Sequence, residues 1–164
     1  MRQIIPACLF LLLSAHAFSQ LKVHAIQATA AQPKLFDPQR DAAQDIETAI
    51  KEAARKGKRV LVDVGGDWCV WCREMESYFE KHADLRALRD RYYVTVKVNR
   101  SPENPNKAVL SKYPEIPGYP HLFVLDRNGA LLHSQDTGKL EDGKSSYDLE
   151  KFTAFLTRWA PAPK

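Results

Sequence analysis

From residue 37 to the C-terminus, apolar and polar positions fall into blocks whose period switches between that of a helix and that of a strand. Asp37-Pro38 offers a capping acid followed by proline at a first helical position; Ala42, Ile46, Ala49, Ile50 and Ala53 then form one apolar stripe, and Gly57 ends it. Val60-Leu61-Val62-Asp63-Val64 is a β-branched run of buried-strand length with one acid in its middle. After Gly65-Gly66, a second helix opens at Cys69 and Cys72, with Met75 and Phe79 sharing a face and Arg73, Glu74 and Glu76 pointing to solvent. Leu85 and Leu88 add a helical turn or two. Tyr93 to Val98 reads as a second strand, Asn99 to Asn106 as a polar loop with Pro102 and Pro105, and Lys107 to Tyr113 as a short helix. His121 to Asp126 and Ala130 to Ser134 flank Arg127-Asn128-Gly129, a hairpin turn in which Asn-Gly tolerates positive φ. Ser145 and Asp148 have capping-box spacing and open a last helix through Leu149, Phe152, Phe155, Leu156 and Trp159. Strands and helices interleaved in this way predict an α/β fold.

A different pattern precedes these blocks. Met1-Arg2-Gln3 is a short basic stretch, Ile4 to Leu13 is almost unbroken apolar sequence, and Ala15-His16-Ala17 supplies small residues at the spacing of a cleavage site. The apolar run is far shorter than the roughly 20 residues a membrane span needs. Residues 1–19 are therefore expected to be an export signal peptide, cut after Ala17 or within a few residues of it, with no stable membrane insertion afterwards; the leader fits the periplasm or a eukaryotic secretory lumen. Leu21 to Ile26 allows a short strand, and residues 20–36 read as a lead-in. Residues 37–160 suit one domain, because about 145 residues build a single core and no internal repeat asks for a second. Charge changes the picture little: 24 Lys and Arg are interspersed with 20 Asp and Glu, and no basic block interleaved with aromatics marks a nucleic-acid surface.

Cysteine usage changes it more. Cys8 lies inside the apolar leader, so processing leaves Cys69 and Cys72 as one Cys-x-x-Cys pair. An unpaired reactive thiol does not persist in an oxidising compartment, whereas a dithiol that cycles through a disulfide does. Between a strand and a helix, the first sulfur meets unpaired backbone N–H groups and the helix dipole, which favour an anion, so Cys69 is the expected nucleophile. Cys72, about one helical turn later, is placed to resolve a mixed disulfide. The pair alone leaves a static structural disulfide as an alternative.

The run Val60-Leu61-Val62-Asp63 leading to Trp68-Cys69-Val70-Trp71-Cys72 resembles the active-site segment of the thioredoxin superfamily. Lys97-Val98-Asn99 is similar to the family's lysine-bearing strand, and Gly118-Tyr119-Pro120 to the loop that carries its cis-proline. The likeness covers Asp37 to Trp159. Its nearest flavours are the secreted thioredoxin-like proteins with Trp-Cys-x-x-Cys and the C-terminal domain of the transmembrane reductant conductor of bacterial periplasms. The resemblance implies a thioredoxin-like fold, with a central mixed sheet of four or five strands flanked by helices. It also implies roles: Asp63 takes the proton of Cys72 as that thiol attacks, Lys97 lies near Asp63, and Pro120 exposes the preceding backbone to a substrate strand. Tyr119 would line the substrate groove, Trp68 would cover the sulfurs, and Trp71 would shape the partner surface or damp attack on Cys72.

The activity so implied is that of an exported thiol-disulfide oxidoreductase, with protein disulfides as substrates, a redox partner protein and no cofactor. Val70-Trp71 matches neither the Gly-Pro of reducing thioredoxins nor the Pro-His of strongly oxidising relatives. Asp63 with Lys97 resembles the reducing members, which favours a reductase. Asp67 puts negative charge near Cys69, against the pull of the helix terminus. Two alternatives stay open: a binding or chaperone module with a structural disulfide, and a thiolate metal site completed by His82, His121 or His133. Haem attachment is excluded by Arg73, which stands where that motif requires histidine. The charged, glycine-bearing stretch 136–146 reads as an exposed loop.

Overall fold

Valine-rich β1 (Arg59–Gly65) is central, and a computed structural model, which describes residues 34–162, arranges the rest of the chain around it. The expected signal peptide, the strand at Leu21 to Ile26 and most of the lead-in lie outside the described residues. β1 pairs parallel with β2 (Tyr93–Asn99) and antiparallel with β3 (His121–Leu125), and β3 pairs antiparallel with β4 (Leu131–Asp136). The result is a four-stranded mixed sheet in the order β2-β1-β3-β4.

Side chains alternate across β1 because successive residues of a strand point to opposite faces. Val60, Val62 and Val64 pack with Phe123 and Leu125 against helix α1 (Ala42–Lys56), through Ile46, Ala49 and Ala53. Leu61, with Leu122 and Val124, packs on the opposite face against α2 (Val70–Lys81), α3 (Ala83–Tyr92) and α5 (Leu149–Arg158), through Met75, Phe79, Leu85, Phe152 and Leu156. Asp63 belongs to this second face, and there it is 2% exposed. A short helix α4 (Lys107–Leu110) follows Asn106, whose φ of 47° is the left-handed conformation that asparagine adopts more readily than most residues.

Several helix and turn boundaries differ from the sequence reading, and α4 stops at Leu110 instead of Tyr113. Helix α1 starts four residues after Asp37-Pro38: its cap is Asp41, whose carboxylate accepts from Ala43 N and Gln44 N. Asp148, not Ser145, caps α5, accepting from Lys151 N at 2.9 Å. In the β3–β4 hairpin only Gly129 takes a positive φ, while the Asp126 carboxylate holds the amides of Asn128 and Ala130. The stretch expected to be an exposed loop is exposed over residues 142–145 but anchored before them. It forms a 3-10 turn (Thr137–Leu140) that buries Thr137 and Leu140, and then a bridge between Glu141 and Tyr147. Among the described residues, no helix is long and apolar enough to cross a membrane.

Candidate active site

The site forms where β1 ends and α2 begins. The amide of Cys69 bonds to Gly66 O at 3.0 Å, which folds residues 66–69 into a turn and makes Cys69 the cap of α2. Its sulfur accepts from Cys72 N at 3.1 Å. Cys69 and Cys72 are joined as a disulfide, with Cα atoms 5.2 Å apart. Both are buried, but Cys69 keeps 4% exposure against 1% for Cys72, so Cys69 is the sulfur an attacking or attacked partner reaches first. A thiolate there meets the unpaired N–H groups and positive end of the helix.

Beneath the pair, the register sets Asp63 opposite Lys97. Lys97 Nζ lies 2.9 Å from Asp63 Oδ2 and 2.9 Å from Glu76 Oε2, so one ammonium serves two carboxylates. Burial works against the Lys97 ammonium, but the attraction of Asp63 and Glu76 outweighs it and holds the pKa above the usual lysine value. Asp63 Oδ1 is buried and, among the described residues, has no hydrogen-bond partner. A buried carboxylate oxygen left unsatisfied is expensive. It is also an acceptor held in reserve, on the same face of β1 as Gly65, the residue whose α-carbon faces Cys72.

Several contributors carry no sequence signal of their role. Phe36 is 1% exposed and packs on both cysteines, and the Lys97 ammonium lies 5.0 Å from its ring centroid. It is held there by Asp67, whose Oδ1 accepts from Leu35 N at 2.9 Å and Phe36 N at 3.1 Å. Asp67, two residues before Cys69, thus also latches the chain that precedes α1. Gly65 and Gly66 read only as a turn, yet each permits a close approach. A Cβ on Gly65 would stand 2.5 Å from Cys72 Sγ, and one on Gly66 would stand 2.3 Å from Trp68 Nε1.

The remaining expected residues gather around the pair. Trp68 is 55% exposed, donates its indole N–H to Arg100 O at 2.7 Å and meets the Tyr119 ring edge-on at 5.5 Å. The Tyr119–Pro120 peptide bond is cis, and Thr137 donates its hydroxyl to Pro120 O. Trp71 is half-buried against Tyr147, ring centroids 5.6 Å apart, so its bulk faces the protein more than a partner. Beside Trp68 lies a groove of about 780 Å³ lined by Phe36, Pro38, Arg100 and Pro102.

The three histidines weighed as metal ligands are engaged elsewhere. His82 packs on Tyr78, His133 stacks on Trp159 and His121 Nε2 bonds to Ser134 Oγ at 2.8 Å. Among the described residues, no three His, Cys, Asp or Glu side chains converge as a ligand set.

A family model described as thioredoxin-like matches residues 41–127. The thiol:disulfide interchange protein DsbD of Colwellia psychrerythraea is 32% identical over 93 residues, which cover 56% of this chain and 15% of that protein. DsbD of Pseudomonas fluorescens is 30% identical over 117 residues, 70% of this chain and 18% of that protein. This chain thus spans less than a fifth of the length of these curated relatives. Among solved structures, a disulphide isomerase from Xylella fastidiosa superposes with a TM-score of 0.65 at 21% identity, covering 76% of this chain and 95% of that one. The C-terminal domain of Neisseria meningitidis DsbD in its oxidised form gives 0.53 at 21% identity, covering 73% and 96%. At that identity, the structural likeness speaks for the fold.

Proposed function

The chain belongs to the thioredoxin-like family, and on that premise we propose that it is an exported reductase of protein disulfides. It is a thiol-disulfide oxidoreductase whose working groups are Cys69 and Cys72. The reductive direction is supported by one observation above the others: a buried Asp63, paired with Lys97, on the face of β1 that meets the resolving sulfur.

In the dithiol form, the Cys69 thiolate attacks one sulfur of a substrate disulfide; the substrate S–S bond breaks, and its other sulfur leaves as a thiolate that takes up a proton. Cys72 then gives its proton to Asp63, directly or through a water, and attacks Cys69 Sγ. The mixed disulfide breaks, the second substrate sulfur leaves and is protonated, and Cys69–Cys72 closes to the oxidised state seen here. Two electrons have passed to the substrate. A dithiol partner protein must return them. The basic start and apolar run of residues 1–19 support export to the periplasm, where such a donor and oxidised substrates meet.

Insulin reduction by the purified protein, together with the reduction potential of the pair against glutathione buffers, tests the reading. Cys69→Ser should abolish turnover, and Cys72→Ser should accumulate a mixed disulfide through Cys69. A potential near or below about −200 mV supports a reductase, and one above about −150 mV makes the protein an oxidant. Cell fractionation with N-terminal sequencing of the mature chain checks export; an uncleaved cytoplasmic protein would refute it.

A further inference from the structure

The β1–β3 ladder ends at the pair Val64 and His121, one residue short of Gly65 and of Pro120. Past it, the turn that carries the sulfurs and the loop that carries Pro120 are joined through the excursion between β4 and α5. Thr137, at the start of that excursion and 3% exposed, donates its hydroxyl proton to Pro120 O. Tyr147, at its end and also 3% exposed, donates to Trp71 O at 3.3 Å and sets its ring edge-on against the Trp71 indole. Ser146 adds a bond from its hydroxyl to Glu74 Oε1 at 2.6 Å, a second tie to α2. The excursion is itself stiffened: Asp148 N bonds to Leu140 O at 2.8 Å, Gly138 N bonds to the Asp136 carboxylate at 3.0 Å, and Leu140 sits in the core.

We propose that Thr137 and Tyr147 are positioning residues that anchor the two ends of this stiffened excursion, one on the Pro120 carbonyl and the other on the Trp71 carbonyl, so that the excursion bridges the substrate-gripping loop to the Cys69–Cys72 turn. The proposal rests on the reading of this site as a reductase of protein disulfides. A protein substrate must be held by the loop while its disulfide reaches Cys69, so both segments have to keep one separation. A small disulfide needs only the sulfur. Loss of the bridge therefore weakens the grip on protein substrates and leaves the equilibrium of the pair itself unchanged.

The test compares wild type, Thr137→Val, Thr137→Ser, Tyr147→Phe and the Thr137→Val/Tyr147→Phe double variant, all as full mature chains. Three readouts are taken: steady-state insulin reduction, equilibrium with glutathione, and amide hydrogen exchange at residues 72–76 and 121–123. Thr137→Val and Tyr147→Phe should each raise KM for insulin about three- to ten-fold, the factor one lost hydrogen bond sets, with kcat and the glutathione equilibrium as in wild type. Thr137→Ser, which keeps the hydroxyl, should behave as wild type. The double variant should be little worse than either single one, because both hydroxyls serve one bridge. Exchange should quicken at both segments in either single variant. Quickening confined to 121–123 in Thr137→Val, a Ser variant as impaired as the Val variant, or single effects that multiply in the double variant would each overturn the bridge. A wild-type protein that exchanges with glutathione and leaves insulin intact overturns the reductase reading alone, and the exchange pattern then still decides the bridge.

Discussion

Gly65→Ala loads the site in a way that only one redox state can relieve. The added Cβ would stand 2.5 Å from Cys72 Sγ and 2.9 Å from Phe36 Cζ, both well inside contact distance. The Phe36 encounter is the same in either redox state and cancels in the difference. The sulfur encounter does not cancel: in the oxidised form Cys72 is tied to Cys69, whereas a free thiol can turn about χ1 to another staggered position. Forcing one extra methyl into a filled core costs about 1–3 kcal/mol. Where rotation relieves that load in the dithiol, it falls on the disulfide alone, and at about 30 mV per 1.4 kcal/mol it raises the reduction potential by roughly 20–65 mV. Equilibration against graded glutathione buffers reads the potential directly. Melting of the two forms provides a check, since the oxidised variant should lose more than the reduced one. A potential within about 10 mV of wild type, a lowered one, or equal losses in the two melting temperatures would refute the argument that the tethered sulfur bears the load.

Phe36→Ala should lower stability by about 3–5 kcal/mol in urea denaturation, because a fully buried ring is lost; a loss under about 1.5 kcal/mol would mean the residues before α1 are dispensable to the fold. Lys97 has a raised folded pKa, so its contribution is complete below the ordinary lysine value of about 10.4 and disappears as pH rises through the folded value. Lys97→Gln should therefore flatten the alkaline limb of the stability curve, and parallel limbs would contradict this. His121 is shifted the other way: burial lowers its pKa, with Asp136 opposing and His133 adding to the effect. Its contribution is present above the unfolded value of about 6.5 and declines as pH falls toward the folded value. His121→Gln should accordingly lose less stability than wild type between about pH 7 and pH 5, by thermal melting; an unchanged slope would count against that assignment.

Much of this architecture could be read from local pattern, and the reasons for the rest are physical. The β-branched run from Val60 and the stripes of α1 and α5 show in the sequence because burial on one face imposes a period. Cys69 and Cys72 show by their spacing between a strand and a helix, whereas the roles of Asp63, Lys97 and Pro120 come only through resemblance, and the structure places the acid and the lysine 2.9 Å apart. Phe36 could not be read, because nothing local tells a phenylalanine in a polar lead-in that a carboxylate 31 residues away will hold its amide. The later start of α1 has a local cause. Residues that looked like the first turn of a helix at Asp37-Pro38 close a separate turn, with Gln39 N on the Asp37 carboxylate and Arg40 N on Asp37 O, and the helix waits for Asp41. The stretch 136–146 has the composition of a loop and is exposed over residues 142–145, and only its tertiary partners, Pro120 and Glu74, reveal that it is anchored at Thr137 and Ser146.

The placing of the tryptophans makes the chain its own optical indicator. Of its three indoles, Trp68 and Trp71 bracket Cys69 and border the disulfide, one edge-on to Tyr119 and the other edge-on to Tyr147. The third, Trp159, stacks on His133 and takes a hydrogen bond from Arg59 on its carbonyl, at the end of β1 remote from Gly65. At about 3.3 Å per residue, that strand separates it from the sulfurs by roughly 20 Å. A disulfide accepts an electron from an adjacent excited indole, so closing Cys69–Cys72 darkens the near pair while Trp159 keeps emitting. Fluorescence intensity over that constant background reports the oxidised fraction in real time, with no label attached.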